Sequence, residues 1–237
     1  MTVPSNDFIA KHLDATLLKP EATEEDIAKL CADSAAKNVY AVCVSPTYVA
    51  LASKFLKDTG IHVASVVGFP SGAHDVSVKV LETKKAVNDG ADEIDMVINI
   101  PLVLAGKWDA VEHEIHEVKK AAKDKIVKVI LETALLSSDQ IRQACKTAVD
   151  AGADFVKTST GMHAAGGATV EDVRLMVATV DEYSNGKVFV KASGGVRTTT
   201  DALKYIAAGA RRLGTSNAAA ILDNTFPDET VEAPEGY

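Results

Sequence analysis

The eight residues Asp150-Ala151-Gly152-Ala153-Asp154-Phe155-Val156-Lys157 read as a helix end, a turn and a strand. Gly152 suits the left-handed residue that closes many helices, and Phe155-Val156 opens an apolar run of strand character. The same junction recurs along the chain. Asn88-Asp89-Gly90-Ala91-Asp92 precedes the stretch Glu93 to Ile98, and Ala207-Ala208-Gly209-Ala210 precedes Arg212 to Gly214. Ala35-Ala36-Lys37-Asn38 stands before Val39 to Val44 in the same way, with asparagine in place of glycine. Each marks a passage from helix to strand, so the repetition is one of αβ joints and not of detailed sequence.

Helix starts are equally legible. Thr23 with Asp26, Ser137 with Gln140, Thr169 with Asp172 and Thr198 with Asp201 have capping-box spacing. Pro46 fits the first turn of a helix running towards Gly60. Val111, Ile115 and Val118 recur at helical spacing between Trp108 and Ala122. Between these helices lie eight strand candidates, near residues 12–16, 39–44, 61–67, 93–98, 126–131, 154–158, 187–192 and 211–215. Such alternation implies right-handed βαβ units and a parallel sheet. The chain is therefore read as α/β, a closed (β/α)8 TIM barrel. A single domain is expected over residues 1–222, with residues 223–237, acidic and carrying two prolines, expected as a flexible C-terminal tail. A doubly wound open sheet is the alternative, but no GxGxxG fingerprint follows the early strands.

Composition sets limits on function. A hydrophobic content of 47% supports a large core, and a net charge of −8 argues against general attraction to nucleic acid or an anionic membrane. An anionic substrate needs a locally positive site. Cys31, Cys43 and Cys145 lack metal-binding spacing and point to a reducing compartment. There is no signal peptide and no apolar run long enough to span a bilayer, so a cytoplasmic location is expected.

Lys157 ends an apolar strand, where an ammonium is costly to desolvate. A lone lysine there ordinarily extends its head to solvent. A second one shifts the balance: Val188-Phe189-Val190-Lys191-Ala192-Ser193-Gly194-Gly195 repeats the pattern about 34 residues later. If the strands are neighbours, each amine is expected to lower the pKa of the other. Bringing a lysine from about 10.4 to near 7 takes roughly 4 kcal/mol. A neutral lysine attacks carbonyls, which favours Schiff-base chemistry.

In a barrel, chemistry collects at the carboxyl ends of strands, and Asp14, Cys43, Asp95, Glu132, Lys157, Lys191 and Ser216 fall at or near them. Asp95, between Ile94 and Met96, reads equally as a structural partner for a lysine or as a proton shuttle beside a reacting carbonyl. Cys43 reads first as a small buried residue, and second as a thiolate open to unsaturated aldehydes. Gly194-Gly195-Val196-Arg197 and Gly214-Thr215-Ser216-Asn217 follow the last two strands, where barrels often bind phosphate.

Six stretches taken together resemble the deoxyribose-phosphate aldolase family, class I Schiff-base-forming aldolases built on a (β/α)8 barrel. They are Leu13-Asp14-Ala15-Thr16-Leu17-Leu18, Val42-Cys43-Val44, Glu93 to Asn99, Lys128 to Thr133, Phe155 to Gly161 and Lys191 to Arg197. The resemblance implies that Lys157 forms the imine while Asp95 and Lys191 handle protons around it. It implies a substrate pocket lined by Asp14, Thr16, Cys43 and Thr160. It also implies phosphate contacts from Gly161, Gly194, Gly195, Val196, Arg197, Gly214 and Ser216. Related aldolases end in a tyrosine on a mobile tail, which implies a catalytic role for Tyr237. The implied partners are small-molecule aldehyde and sugar-phosphate substrates; a homodimer is the assembly expected here, though the resemblance does not fix it. No metal and no cofactor are implied, because the imine does the work of a Lewis acid.

Two positions depart from the pattern. Some members carry a lysine where this chain has Met162, and a second serine where it has Asn217. Both changes make the phosphate site less polar or less positive. Two rivals stand beside the aldolase reading: a phosphosugar isomerase with Glu132 as base, and a non-catalytic phosphate-binding barrel.

Overall fold

The structure, a computed structural model, describes residues 5–223. Tyr237 and the rest of the expected tail beyond Asp223 lie outside them.

Eight strands form one sheet: β1 (Leu13–Leu17), β2 (Ala41–Val44), β3 (His62–Val67), β4 (Glu93–Val97), β5 (Ile126–Ile130), β6 (Phe155–Lys157), β7 (Phe189–Ser193) and β8 (Arg212–Thr215). Each pairs in parallel with the next and β8 pairs with β1, so the sheet closes into a barrel with helices between the strands. The open-sheet alternative is thereby excluded. The first strand sits one residue later than expected.

The joints are made as their residues dictate. Gly90, Gly152 and Gly209 have φ of 104°, 85° and 103°, and Asn38 has φ 51°, all in the left-handed region that ends a helix cleanly. Thr23, Ser137 and Thr198 each open a helix through a complete capping box, worth about 1 kcal/mol apiece. Thr169 accepts from the backbone of Asp172 in the same manner. Pro46 differs from expectation. It opens a 3-10 turn, and the α-helix that follows, Val49–Phe55, stops well before Gly60.

Most of the apolar core lies outside the barrel wall. Val42, Val63, Ile94, Met96, Val127, Val129, Val156, Val190 and Leu213 are all buried and belong to one cluster with the helices. Residues between them on the same strands point inward, because side chains alternate across a strand. On β4 these are Glu93 and Asp95, and on β5 Lys128. Parallel strands buried on both faces are normally apolar throughout. Here one side of the barrel interior is instead filled with charge. The opposite side holds a small apolar cluster of Cys43, Ala64 and Val66, with Leu18 and Phe69 against it.

The loops above the strands are tied down. Lys79 is fully buried and donates to the carbonyls of Gly72 and Val97 and to Glu114, at 2.7, 2.8 and 2.8 Å. The other Glu114 oxygen accepts from the Asn99 backbone at 2.9 Å. One buried ion pair thus joins the loops after β3 and β4.

Candidate active site

β6 and β7 place Lys157 opposite Lys191 in register, and β7 and β8 place Lys191 opposite Arg212. Both lysines enter the barrel because side chains alternate across a strand and their neighbours Val156 and Val190 face outward into the core. Their amines converge on a single oxygen: Lys157 Nζ and Lys191 Nζ each lie 2.8 Å from Asp95 Oδ2. The second Asp95 oxygen accepts from Lys128 Nζ at 2.6 Å. Lys191 also pairs with Asp14. Lys128 reaches Glu93 at 2.6 Å, and Arg212 bridges Asp14 at 2.7 Å and Glu93 at 3.1 Å. The Arg212 guanidinium stacks on Tyr40, 3.5 Å from the ring centroid.

All these groups are buried, but they are not equivalent. Lys128, Lys191 and Asp95 have no solvent exposure, whereas Lys157 keeps 4%. Lys157 also contacts one carboxylate, while Lys191 and Arg212 contact two each and Lys128 lies within ion-pair distance of three. Burial lowers the Lys157 pKa below the ordinary lysine value; Asp95 opposes this and Lys191 reinforces it. Burial works against the Lys191 charge too, but Asp14 and Asp95 outweigh it and raise its pKa. The expectation that each lysine lowers the other is therefore half corrected. Two carboxylates hold Lys191 as a cation, and it acts on Lys157 without being lowered in return. Burial also opposes the Asp95 charge, yet Lys128, Lys157 and Lys191 keep its carboxyl well below the usual range.

The remaining expected residues occupy several levels of the same barrel mouth. Asp14 is inside the charged group. Thr16 is partly buried beside Cys43 in register and donates to the Asp14 carbonyl at 3.0 Å. Cys43 is fully buried, and burial together with Asp95 pushes its thiol above the ordinary value. The small-residue reading fits it. Thr160 donates both its hydroxyl, at 2.5 Å, and its backbone N–H, at 3.3 Å, to Glu132. Glu132 sits in the left-handed region with φ 57° and ψ 60°, and its carboxylate is spent on the Thr160 loop. That removes it as the free base of an isomerase.

The glycine loops also come together. Gly161 and Gly194 meet backbone to backbone, and a Cβ on Gly167 would fall 2.4 Å from the Gly194 carbonyl oxygen. Thr215 donates to the Val196 carbonyl at 2.6 Å, joining the end of β8 to the loop after β7. Among the described residues, the backbone N–H groups of Gly194, Gly195 and Val196 find no protein acceptor. Three neighbouring free donors suit an anion. Ser216 is exposed at the edge of these loops. Arg197 is exposed as well, and its own N–H donates to Asp201 at 3.2 Å. Gly214 lies lower, within β8, where a Cβ would meet Ser193 Oγ at 2.3 Å and Lys191 Cε at 3.2 Å. Its missing side chain makes room for Lys191.

Sequence reasoning did not single out Glu93, Lys128 or Arg212, nor the hydroxyls of Ser159 and Ser193. Those two hydroxyls are buried with no protein partner among the described residues, which leaves them free to meet a substrate or water. Among the described residues no group of three or more His, Cys, Asp or Glu is disposed to hold a metal ion, and no helix is long and apolar enough to cross a membrane.

Comparison with known proteins now bears on this arrangement. The model of the DeoC/LacD family of aldolases matches residues 8–226. The chain belongs to the DeoC/LacD aldolase family. It is an aldolase, a carbon–carbon lyase. A deoxyribose-phosphate aldolase of Carboxydothermus hydrogenoformans is 51% identical to it over 229 residues, 95% of this chain and 98% of that one. A solved structure described as a putative deoxyribose-phosphate aldolase from Coccidioides immitis is 42% identical, covers 95% of this chain and 88% of its own, and superposes with a TM-score of 0.91. Another, from Aeropyrum pernix, is described as a tetrameric deoxyribose phosphate aldolase; it is 33% identical over 92% of this chain and 91% of that one, with a TM-score of 0.86. Within an aldolase family the isomerase and the non-catalytic barrel both fall away.

The geometry around Lys191 makes an early prediction. Lys191→Leu removes a cation that shares the Asp95 carboxylate with Lys157, so Lys157 keeps its proton more firmly. Imine trapping at neutral pH should fall by roughly tenfold or more, about one pH unit's worth, and recover as the pH is raised. A trapping profile against pH that is unmoved would remove Lys191 from this role.

Proposed function

We propose that this chain is a deoxyribose-phosphate aldolase that reversibly cleaves 2-deoxy-D-ribose 5-phosphate to acetaldehyde and D-glyceraldehyde 3-phosphate. The observation that carries the reading is Lys157. It is the amine with a single carboxylate contact and slight exposure, set beside a lysine held charged.

The chemistry follows from those positions. Neutral Lys157 attacks the aldehyde carbon of the open-chain sugar, keeping an N–H for Asp95 while its lone pair forms the bond. The carbinolamine hydroxyl takes a proton from Lys191 through water and leaves as water, giving a protonated imine, an electron sink. A water held by Asp95 and Lys191 takes the proton from the hydroxyl on the third carbon. The bond between the second and third carbons then breaks, releasing D-glyceraldehyde 3-phosphate and leaving an enamine on Lys157. Protonation of the enamine carbon and hydrolysis free acetaldehyde and regenerate the amine. The free N–H groups of Gly194, Gly195 and Val196, with Gly161 and Ser216 beside them, hold the phosphate. Asp14, Thr16, Cys43 and Thr160 line the sugar path, and Arg197 adds positive charge at its rim.

The test is direct. Supplied with 2-deoxy-D-ribose 5-phosphate, the protein should release acetaldehyde, and borohydride should fix one adduct on the peptide bearing Lys157. Release of a ketone phosphate from another sugar, with no acetaldehyde, would redirect the substrate assignment.

Tyr237, by the same proposal, gives the enamine its proton, directly or through water. A variant ending at residue 236 should turn over roughly 10²-fold more slowly, as expected for a lost general acid. Its imine formation should survive, because that step lies upstream. Exchange of acetaldehyde methyl protons with deuterated water is the measurement; equal rates in both proteins would leave Tyr237 without a catalytic part. The assembly expected from the sequence is a homodimer, and light scattering decides between it and the tetramer of the Aeropyrum pernix relative.

A further inference from the structure

The ion pairs beneath Lys157 close on themselves. Going round, Arg212 holds Asp14 at 2.7 Å, Asp14 holds Lys191, and Lys191 holds Asp95 at 2.8 Å. Asp95 holds Lys128 at 2.6 Å, Lys128 holds Glu93 at 2.6 Å, and Glu93 returns to Arg212 at 3.1 Å. Six charges alternate in sign without a break, three of each kind. The ring is neutral as it stands. Lys157 hangs from it at Asp95 as a fourth cation with no fourth carboxylate to match.

We propose that this neutral ring is the device that leaves Lys157 as the surplus charge, and that Arg212 and Glu93, at its far side, are positioning residues that set the pH at which Lys157 becomes a free amine, with opposite signs. Neither residue is paired with Lys157. Each acts through an arm of the ring, Arg212 by way of Asp14 and Lys191, Glu93 by way of Lys128, and both arms end on Asp95. A buried charge cluster tolerates little imbalance, because the medium screens it weakly. With the ring itself neutral, a proton on Lys157 is an unmatched charge in a buried site, opposed by burial and by Lys191 and favoured chiefly by Asp95.

The other groups facing Lys157 do not alter the count. β2 brings Cys43, whose thiol is held neutral, and β3 brings Ala64 and Val66. Glu132, after β5, turns its carboxylate to the backbone and hydroxyl of Thr160 and, among the described residues, forms no ion pair with Lys157 or with the ring. Asp14, Glu93, Asp95, Lys128, Lys191 and Arg212, from β1, β4, β5, β7 and β8, are the ring.

The proposal deepens the Schiff-base reading and rests on it for its consequence, but its test does not need an imine. Competitive acetylation by acetic anhydride across pH, read at the Lys157 peptide by mass spectrometry, reports the fraction of free amine in the full-length protein. Arg212→Met leaves three carboxylates and three cations, so Lys157 should hold its proton to a pH about one unit higher. Glu93→Gln leaves four cations on two carboxylates, so the profile should move about one unit the other way. The double variant restores balance and should return the profile to that of the parent. Arg212→Lys keeps the charge and should leave it in place. Two single variants that shift the profile in the same direction, or folded variants that do not shift it, would overturn the proposal. Should Arg212→Met not fold, Glu93→Gln alone decides, since only a shift to lower pH agrees with the ring. Acetaldehyde trapping run in parallel separates the two ideas: no adduct in the parent defeats the imine reading, while the acetylation profiles still judge the ring.

Discussion

Lys157→Arg should keep the fold and abolish imine formation, lowering turnover by roughly 10⁴-fold or more, the scale on which enzymes lose rate with their covalent chemistry. Arginine stays protonated at any accessible pH and has no lone pair to offer. Its guanidinium can still donate to Asp95, so the charged group keeps its carboxylate partner and the barrel its interior. The measurement is borohydride reduction in the presence of acetaldehyde, followed by mass spectrometry of the intact protein. An arginine variant that still gains the mass of a reduced adduct would place the nucleophile elsewhere. Lys191 is a poor substitute, because Asp14 and Asp95 keep it charged.

Asp95→Asn should separate the two halves of the reaction. The substitution is nearly isosteric but removes the negative charge that Lys128, Lys157 and Lys191 share. Lys157 loses its one carboxylate partner, so it should be free at lower pH, and trapping of acetaldehyde should survive and extend towards acid. Cleavage should not survive. With no carboxylate to hold the water that takes the hydroxyl proton, turnover should drop by roughly 10²- to 10⁴-fold. Stability should fall as well, by about 3 to 5 kcal/mol, because a buried pair has lost one member. Trapping, cleavage and a denaturant titration on one preparation suffice. If trapping and cleavage fall in step, Asp95 shapes the site and does not move the proton.

The barrel was legible because its evidence is local. A left-handed glycine, an N-terminal cap and a short apolar strand each depend on a few adjacent residues, so Asp150 to Lys157 could be read without knowing what surrounds it. Pro46 misled for the same reason. Its fixed φ suits a 3-10 turn as well as an α-helix, and the choice between them is made by neighbours. The site was legible only in part. Lys157 and Lys191 stood out because they end apolar runs. Glu93, Lys128 and Arg212 did not, since a charge at the start or middle of a strand looks like an ordinary solvated edge. A signal was present all the same: Glu93-Ile94-Asp95-Met96 and Val127-Lys128-Val129 alternate in a way that strands buried on both faces seldom do. What no stretch of sequence contains is the closure of these charges on one another. That closure decides the sign of the shift at Lys191, which sequence reasoning took the wrong way.

The meeting of Gly161, Gly167 and Gly194 limits how this enzyme can diversify. At that end of the mouth the wall is bare main chain, and a side chain on Gly167 or Gly194 would strike backbone within 3 Å. Mutation therefore has almost no vocabulary there: the only words are glycine or a displaced loop. The opposite wall is built from the side chains of Cys43, Ala64, Val66 and Phe69, so its shape is set by side chains and not by main chain. Changes of substrate fit therefore have more room on that side than at the glycine wall.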